Sequence, residues 1–141
     1  MTKAKPEEVL RKHFAALDRH DLDAISETLD PGFEMSSVGV PEESLKGIEA
    51  YRGLWGSLFK AFPDLRVKIL GMVSEGDNVA VEISRVGTFK EPFGTPPDAI
   101  QPTGRRTETR WAAFGRVNSK GLIAEARTYS QGFLEQLGVE E

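Results

Sequence analysis

Few residues in this 141-residue chain can exchange a proton near neutral pH, and their placement decides what chemistry is open to it. Cysteine is absent, which removes thiol nucleophiles, disulfides and thiolate metal sites. His13 shares a predicted helix face with Leu10, Phe14 and Leu17, so its imidazole is expected to point inward. There a pKa of about 6.5 can be tuned toward proton transfer. The alternative is a core-edge histidine hydrogen-bonded to a carbonyl. His20 stands beside Asp18 and Asp21 and reads as a solvated capping residue in a helix–helix turn. Glu34, Glu82 and Glu125 fall in predicted strands, where a buried carboxylate can work as a base, but each is placed on the outward face. Arg85, Arg110, Arg116 and Arg127 are assigned to cross-strand pairing on the solvent or dimer side. The two histidines, without an HExxH pattern or a carboxylate cluster, give no metal-ligand set.

These residues need a scaffold, and composition bounds it. Aliphatic and aromatic residues make up 39% and charged residues 28%, a globular mixture of single-domain size, so residues 1–141 are expected to form one domain. The net charge of −4, with both signs interspersed, offers no basic stripe for nucleic acid. No apolar run approaches a membrane span, and MTKAKPEEVL lacks a signal-peptide core, which makes the cytoplasm the expected compartment.

Periodicity supplies the elements. Pro6 with Glu7 and Glu8 opens a first helix; Asp21 caps a second that Pro31-Gly32 ends, and a strand is predicted near Phe33 to Val38. Ile48, Tyr51, Leu54, Trp55, Leu58, Phe59 and Phe62 recur at helical spacing until Pro63 stops them. Val67, Ile69, Gly71 and Val73, then Val79, Val81 and Ile83, alternate around the turn Glu75-Gly76-Asp77-Asn78 as an antiparallel hairpin. A Pro- and Gly-rich loop from Pro92 to Gly104 reads as a mobile flap, with Ile100 as a lid contact. Strands follow over Thr107 to Val117 and Leu122 to Tyr129, then a closing helix from Phe133 to Leu137. Helices first and long consecutive strands after them predict an α+β domain in which a curved antiparallel sheet wraps the long helix.

The order and spacing of KGIEAYR, AFPDL, EGDNVAV, PTGRR and EQLG resemble the SnoaL-like polyketide cyclase family, within the cone-shaped fold of ketosteroid isomerase and nuclear transport factor two. The resemblance runs over nearly the whole chain. It implies a deep, mostly apolar pocket, usually in a homodimer, in which members close polyketide rings without metal or organic cofactor by means of a pocket carboxylate or histidine. The chain departs from the family at two places. Phe89 follows Gly87-Thr88 where the family often has a histidine, and Tyr129 or Ser130 takes the place of an aspartate near the last strand's end.

On this reading the ligand pocket is walled by Phe14, Tyr51, Trp55, Phe59, Phe89 and Trp111. Trp111, beside Ala113 and Gly115 on one strand face, leaves room for either a ligand or a helix. His13 is the expected base and Tyr129 the hydrogen-bond donor to a developing enolate, in cofactor-free cyclisation, isomerisation or dehydration of a small apolar molecule. The competing expectation is a non-catalytic binding or interaction module of the same fold. A homodimer through the convex sheet face is expected, because strands such as Ile69 to Val73 are apolar on both faces.

Overall fold

The structure is a computed structural model that describes residues 5–38, 44–130, 137 and 139. The chain runs α1 (Pro6–Asp18), α2 (Leu22–Glu27), β1 (Leu29–Val38), β2 (Ser44–Lys46), α3 (Ile48–Ala61), β3 (Arg66–Glu75), β4 (Asn78–Thr88), β5 (Arg106–Val117) and β6 (Ile123–Tyr129). The predicted closing helix lies outside the described residues, apart from Leu137.

Local chemistry sets the boundaries. Pro6 occupies the first turn of α1, where its missing N–H costs nothing, and Glu7 and Glu8 complement the positive end of the helix. Asp21 caps α2 by accepting from the Ala24 amide at 3.0 Å. At the end of α1, Asp18 accepts from Arg66 at 2.8 and 2.9 Å and from the Val67 amide at 2.9 Å. These bonds tie the helix to the start of β3. Asp64 accepts from the amide and hydroxyl of Thr88, both at 2.7 Å, and so joins the turn after α3 to the end of β4.

The six strands form one sheet in the order β2-β1-β6-β5-β4-β3. Neighbours are antiparallel except β1 and β6, which run parallel, so the sheet is mixed where an antiparallel one was predicted. Helices α1 and α3 pack on its inner face with a core that includes Leu17, Phe33, Phe62, Val79 and Ile83. This is the predicted α+β architecture of a curved sheet around helices. The short edge strand β2 falls in what sequence alone reads as a turn-rich connection.

Two irregularities matter for the site. Between Leu29 and Glu34, β1 slips relative to β6 around Pro31 and Gly32. In β6 the pairs are Val117 with Ile123 and Arg116 with Glu125, so β6 holds an extra residue against a single step of β5. A side chain changes face with every residue of a strand, so this bulge inverts the inward and outward phase of β6 after Ile123.

The loop after β4 folds back on itself. Phe93 and Ile100 exchange backbone hydrogen bonds of 2.9 and 2.8 Å and pack against the core. Ile100 therefore makes no lid contact: it is absent from the pocket wall.

Candidate functional site

The sheet and helices enclose a cavity of about 160 Å³ between α1, α3 and the inner face of β1, β4, β5 and β6. Of the residues predicted to line it, Phe14, Tyr51, Trp55 and Trp111 do, together with His13. The walls are mainly apolar, with side chains such as Leu10, Leu54 and Met35.

His13 reaches the site from the buried face of α1 and is 3% exposed. Its Nδ1 lies 2.7 Å from Thr28 Oγ1, and its Nε2 lies 2.8 Å from the Tyr51 hydroxyl. Thr28 spends its one hydroxyl proton on the Ile25 carbonyl, 2.7 Å away. Thr28 Oγ1 is left as an acceptor, which places the imidazole proton on Nδ1 and makes Nε2 the acceptor of the Tyr51 O–H. Burial lowers the His13 pKa to about 4, so the ring is neutral at pH 7. Burial likewise raises the Tyr51 hydroxyl above its ordinary value. His13 is thus neither a free base facing a ligand nor a histidine bound to a carbonyl. It stands at the pocket wall with both ring nitrogens engaged, one by Thr28 and one by the Tyr51 hydroxyl.

Aromatic rings hold this pair in place. Phe14 stands edge-on to His13 at 5.2 Å, and Phe33 edge-on to Tyr51 at 5.1 Å. Trp55 lies 6.3 Å from both Tyr51 and Trp111, extending the wall across to β5. The Trp55 indole N–H is close enough to Tyr51 to favour its ionised form slightly. Among the described residues it still meets no acceptor in hydrogen-bonding geometry.

Three predicted pocket residues lie elsewhere. Tyr129 is 40% exposed on the outer face, edge-on to Phe114 at 5.9 Å. The β6 bulge is the reason: it directs Ala126, Thr128 and Ser130 into the pocket and turns Tyr129 out. Phe59 stacks on His20 at 4.1 Å, because a helix of 3.6 residues per turn rotates a four-residue stripe by roughly 40° per repeat and carries it past the pocket. Phe89 is fully buried and stacks on Phe62 at 5.0 Å, filling core. His20 is no solvated cap either, since its Nε2 also bonds the Leu65 carbonyl at 2.8 Å. Glu34, Glu82 and Glu125 are exposed, as their alternation predicts.

Two site residues escape the sequence reading. Arg85 lines the pocket at 7% exposure, with its guanidinium 5.8 Å from the centre of the Trp111 ring. It follows Val79, Val81 and Ile83 in the same alternation, so its inward phase was available in the sequence. Burial lowers its pKa to about 10, which leaves it cationic at pH 7. Thr28, which fixes the His13 tautomer, carries no comparable local signal. Among the described residues no group of three His, Cys, Asp or Glu side chains could hold a metal.

The family model of the SnoaL-like domain matches residues 10–126. The fold is similar to that of a candidate SnoaL-like polyketide cyclase from Jannaschia sp. CCS1, at 22% identity over 99% of this chain and 95% of that one, with a TM-score of 0.79. IdmH, a candidate polyketide cyclase from Streptomyces antibioticus, is 27% identical over 96% of this chain and 100% of that one, with a TM-score of 0.73. A protein of ketosteroid isomerase-like fold from Catenulispora acidiphila DSM 44928, solved with trimethylamine, is 18% identical over 94% of each chain, with a TM-score of 0.72. No curated protein matches the chain.

Proposed function

Because the chain belongs to the SnoaL-like domain family, we propose that it binds a small, largely apolar molecule of polyketide or aromatic type and moves a proton on it without a cofactor. The observation that carries this reading is a cavity of about 160 Å³ bordered by a buried Tyr51–His13 pair. Cavities of about 150 Å³ admit a benzene ring, and the aromatic walls suit planar ligands.

The pair's proton accounting defines the chemistry. A ligand O–H or enolisable C–H gives its proton to Tyr51 Oη as the tyrosine's own proton passes to His13 Nε2. The products are a ligand oxyanion or enolate and a buried imidazolium, and return of the proton at another ligand atom completes an isomerisation, cyclisation or dehydration. The low pKa of His13 makes it a weak base that returns the proton readily. No second proton-transfer partner is required.

The alternative is a non-catalytic binding module. Two observations favour it: both ring nitrogens of His13 are engaged, and no carboxylate lines the pocket among the described residues. A screen of polyketide-like and enolisable aromatic ketones separates the two. Turnover that falls by about 10² to 10⁴ in both Tyr51→Phe and His13→Gln supports the proton-transfer pair. Saturable binding without turnover supports the binding module.

We also propose that the protein pairs with a second copy through the outer sheet face, where Phe114 is 44% and Tyr129 40% exposed. Light scattering at micromolar concentration should give the mass of a dimer, and a monomer would refute it.

A further inference from the structure

The hydrogen bonds around His13 run in one direction, and each proton in them is committed. Thr28 gives its hydroxyl proton to the Ile25 carbonyl at 2.7 Å, His13 gives its Nδ1 proton to Thr28 Oγ1 at 2.7 Å, and Tyr51 gives its hydroxyl proton to His13 Nε2 at 2.8 Å. A carbonyl can only accept, so Ile25 sets the sense of the whole chain from its far end. At the pocket end the Tyr51 oxygen has no proton left to offer. It keeps its capacity to accept, and among the described residues no donor reaches it in hydrogen-bonding geometry. Both nitrogens of His13 are engaged, so this oxygen is the part of the pair still able to bond a ligand.

A second observation narrows the kind of group. The indole N–H of Trp55, whose ring also lines the pocket, lies close to Tyr51 and has no hydrogen-bond partner among the described residues. Buried polar groups of this kind are ordinarily satisfied. A hydroxyl would serve both neighbours with one atom, giving its proton to Tyr51 Oη and accepting from Trp55 Nε1–H. A ketone or ether oxygen brought to Tyr51 would set lone pair against lone pair.

Building on the reading of this cavity as a ligand site, we propose that its ligand presents a phenolic or enolic hydroxyl that donates to Tyr51 Oη, and that Thr28 sets this preference by holding the His13 proton on Nδ1. Thr28 is 3% exposed and stands outside the pocket wall, so it is a positioning residue that acts through His13 and Tyr51. The bound hydroxyl is then aligned for the proton transfer to Tyr51 described above.

The test is calorimetric binding of phenol, toluene and anisole to the full chain at neutral pH. The three share one ring; phenol adds a donor, toluene neither donor nor acceptor, and anisole an acceptor alone. Phenol should bind roughly two- to tenfold more tightly than toluene, the range of one neutral hydrogen bond, and anisole no more tightly than toluene. Thr28→Val keeps the side-chain shape and both backbone bonds of residue 28, from its amide to Ile25 and from the Ile123 amide to its carbonyl, but removes the acceptor for Nδ1. The His13 proton is then free to move to Nε2, the Tyr51 O–H turns to the pocket, and the preference for phenol should disappear. Nitrogen-15 spectra of the histidine side chains should show His13 protonated on Nδ1 in the unmodified chain and on Nε2 in the variant. Toluene binding as tight as phenol overturns this proposal and leaves the ligand-site reading standing, and so does a phenol preference unchanged in Thr28→Val. If none of the three probes binds, the ligand-site reading fails and this proposal with it. The probe series and the His13 tautomer of the unmodified chain decide the matter even if Thr28→Val does not fold.

Discussion

The two faces of β5 and β6 are built from the same stretches of chain and do opposite things. Inward, Trp111, Ala113, Gly115, Ala126 and Thr128 leave a cavity; outward, Phe114, Arg127 and Tyr129 form a solvent-facing cluster in which Arg127 sits over the Phe114 ring at 5.5 Å. Small side chains opposite one large ring make the hollow, since Gly115 leaves only Leu10 near the place a Cβ would occupy, at 3.7 Å. The bulge at the start of β6 decides which residues belong to which face. The lesson is that a one-residue insertion in a ladder can reassign a whole strand's chemistry.

The contrast is broken most severely by deleting inner-face volume. Phe33→Ala removes a side chain that is 1% exposed and should destabilise the fold by about 3–5 kcal/mol in denaturant titration. Phe114→Ala, on the outer face, should stay within about 0.5 kcal/mol for the monomer. Similar costs at the two positions would show that the faces are misassigned.

The next largest effect depends on pH. Burial holds His13 near 4 in the folded chain, against about 6.5 when unfolded. Between these values the unfolded chain binds a proton that the folded chain refuses, so stability falls as pH drops through this window. The total loss is about 3 kcal/mol. Asp18, held low chiefly by its hydrogen bond from Arg66, loses its contribution only at lower pH, below its ordinary 3.8. His13→Gln should flatten the stability profile between pH 6.5 and 4, and an unchanged slope would place its origin elsewhere.

Smaller again is Tyr51→Phe, which leaves Nε2 of His13 buried without its donor and should cost about 1–3 kcal/mol. Tyr129→Phe removes only an exposed hydroxyl and should cost less than about 0.5 kcal/mol.

Much of this fold is legible in the sequence because its signals are local. The stripe from Ile48 to Phe62 and the alternation around Gly76-Asp77 each specify an element from neighbouring residues, and α3 and the β3–β4 hairpin follow. The parallel pairing of Ser36 with Arg127 joins segments far apart in the chain, and no local pattern encodes it. The position of Tyr129 is misread for a related reason. Ile123 is apolar and buried, so uninterrupted alternation would carry Tyr129 to the same face, and the bulge that prevents this has no glycine or proline to announce it. Arg85 is a different case. Its phase is plain from Val79, Val81 and Ile83, and only the habit of placing charge outside hides it.

The central claim, that the inner face is a binding site and the outer face is not, has a direct optical test. The chain's two tryptophans, Trp55 and Trp111, both line the cavity, so fluorescence excited selectively at tryptophan, beyond the tyrosine absorption band, reports on it. Titration with 2-naphthol, corrected for its own absorbance and emission, should quench this fluorescence saturably in the unmodified chain and in Tyr129→Phe. Ala113→Phe, which fills the pocket from a position 7% exposed, should abolish the response while the fold is retained by circular dichroism. Saturable quenching that survives in a folded Ala113→Phe, or is lost in Tyr129→Phe, would contradict the account.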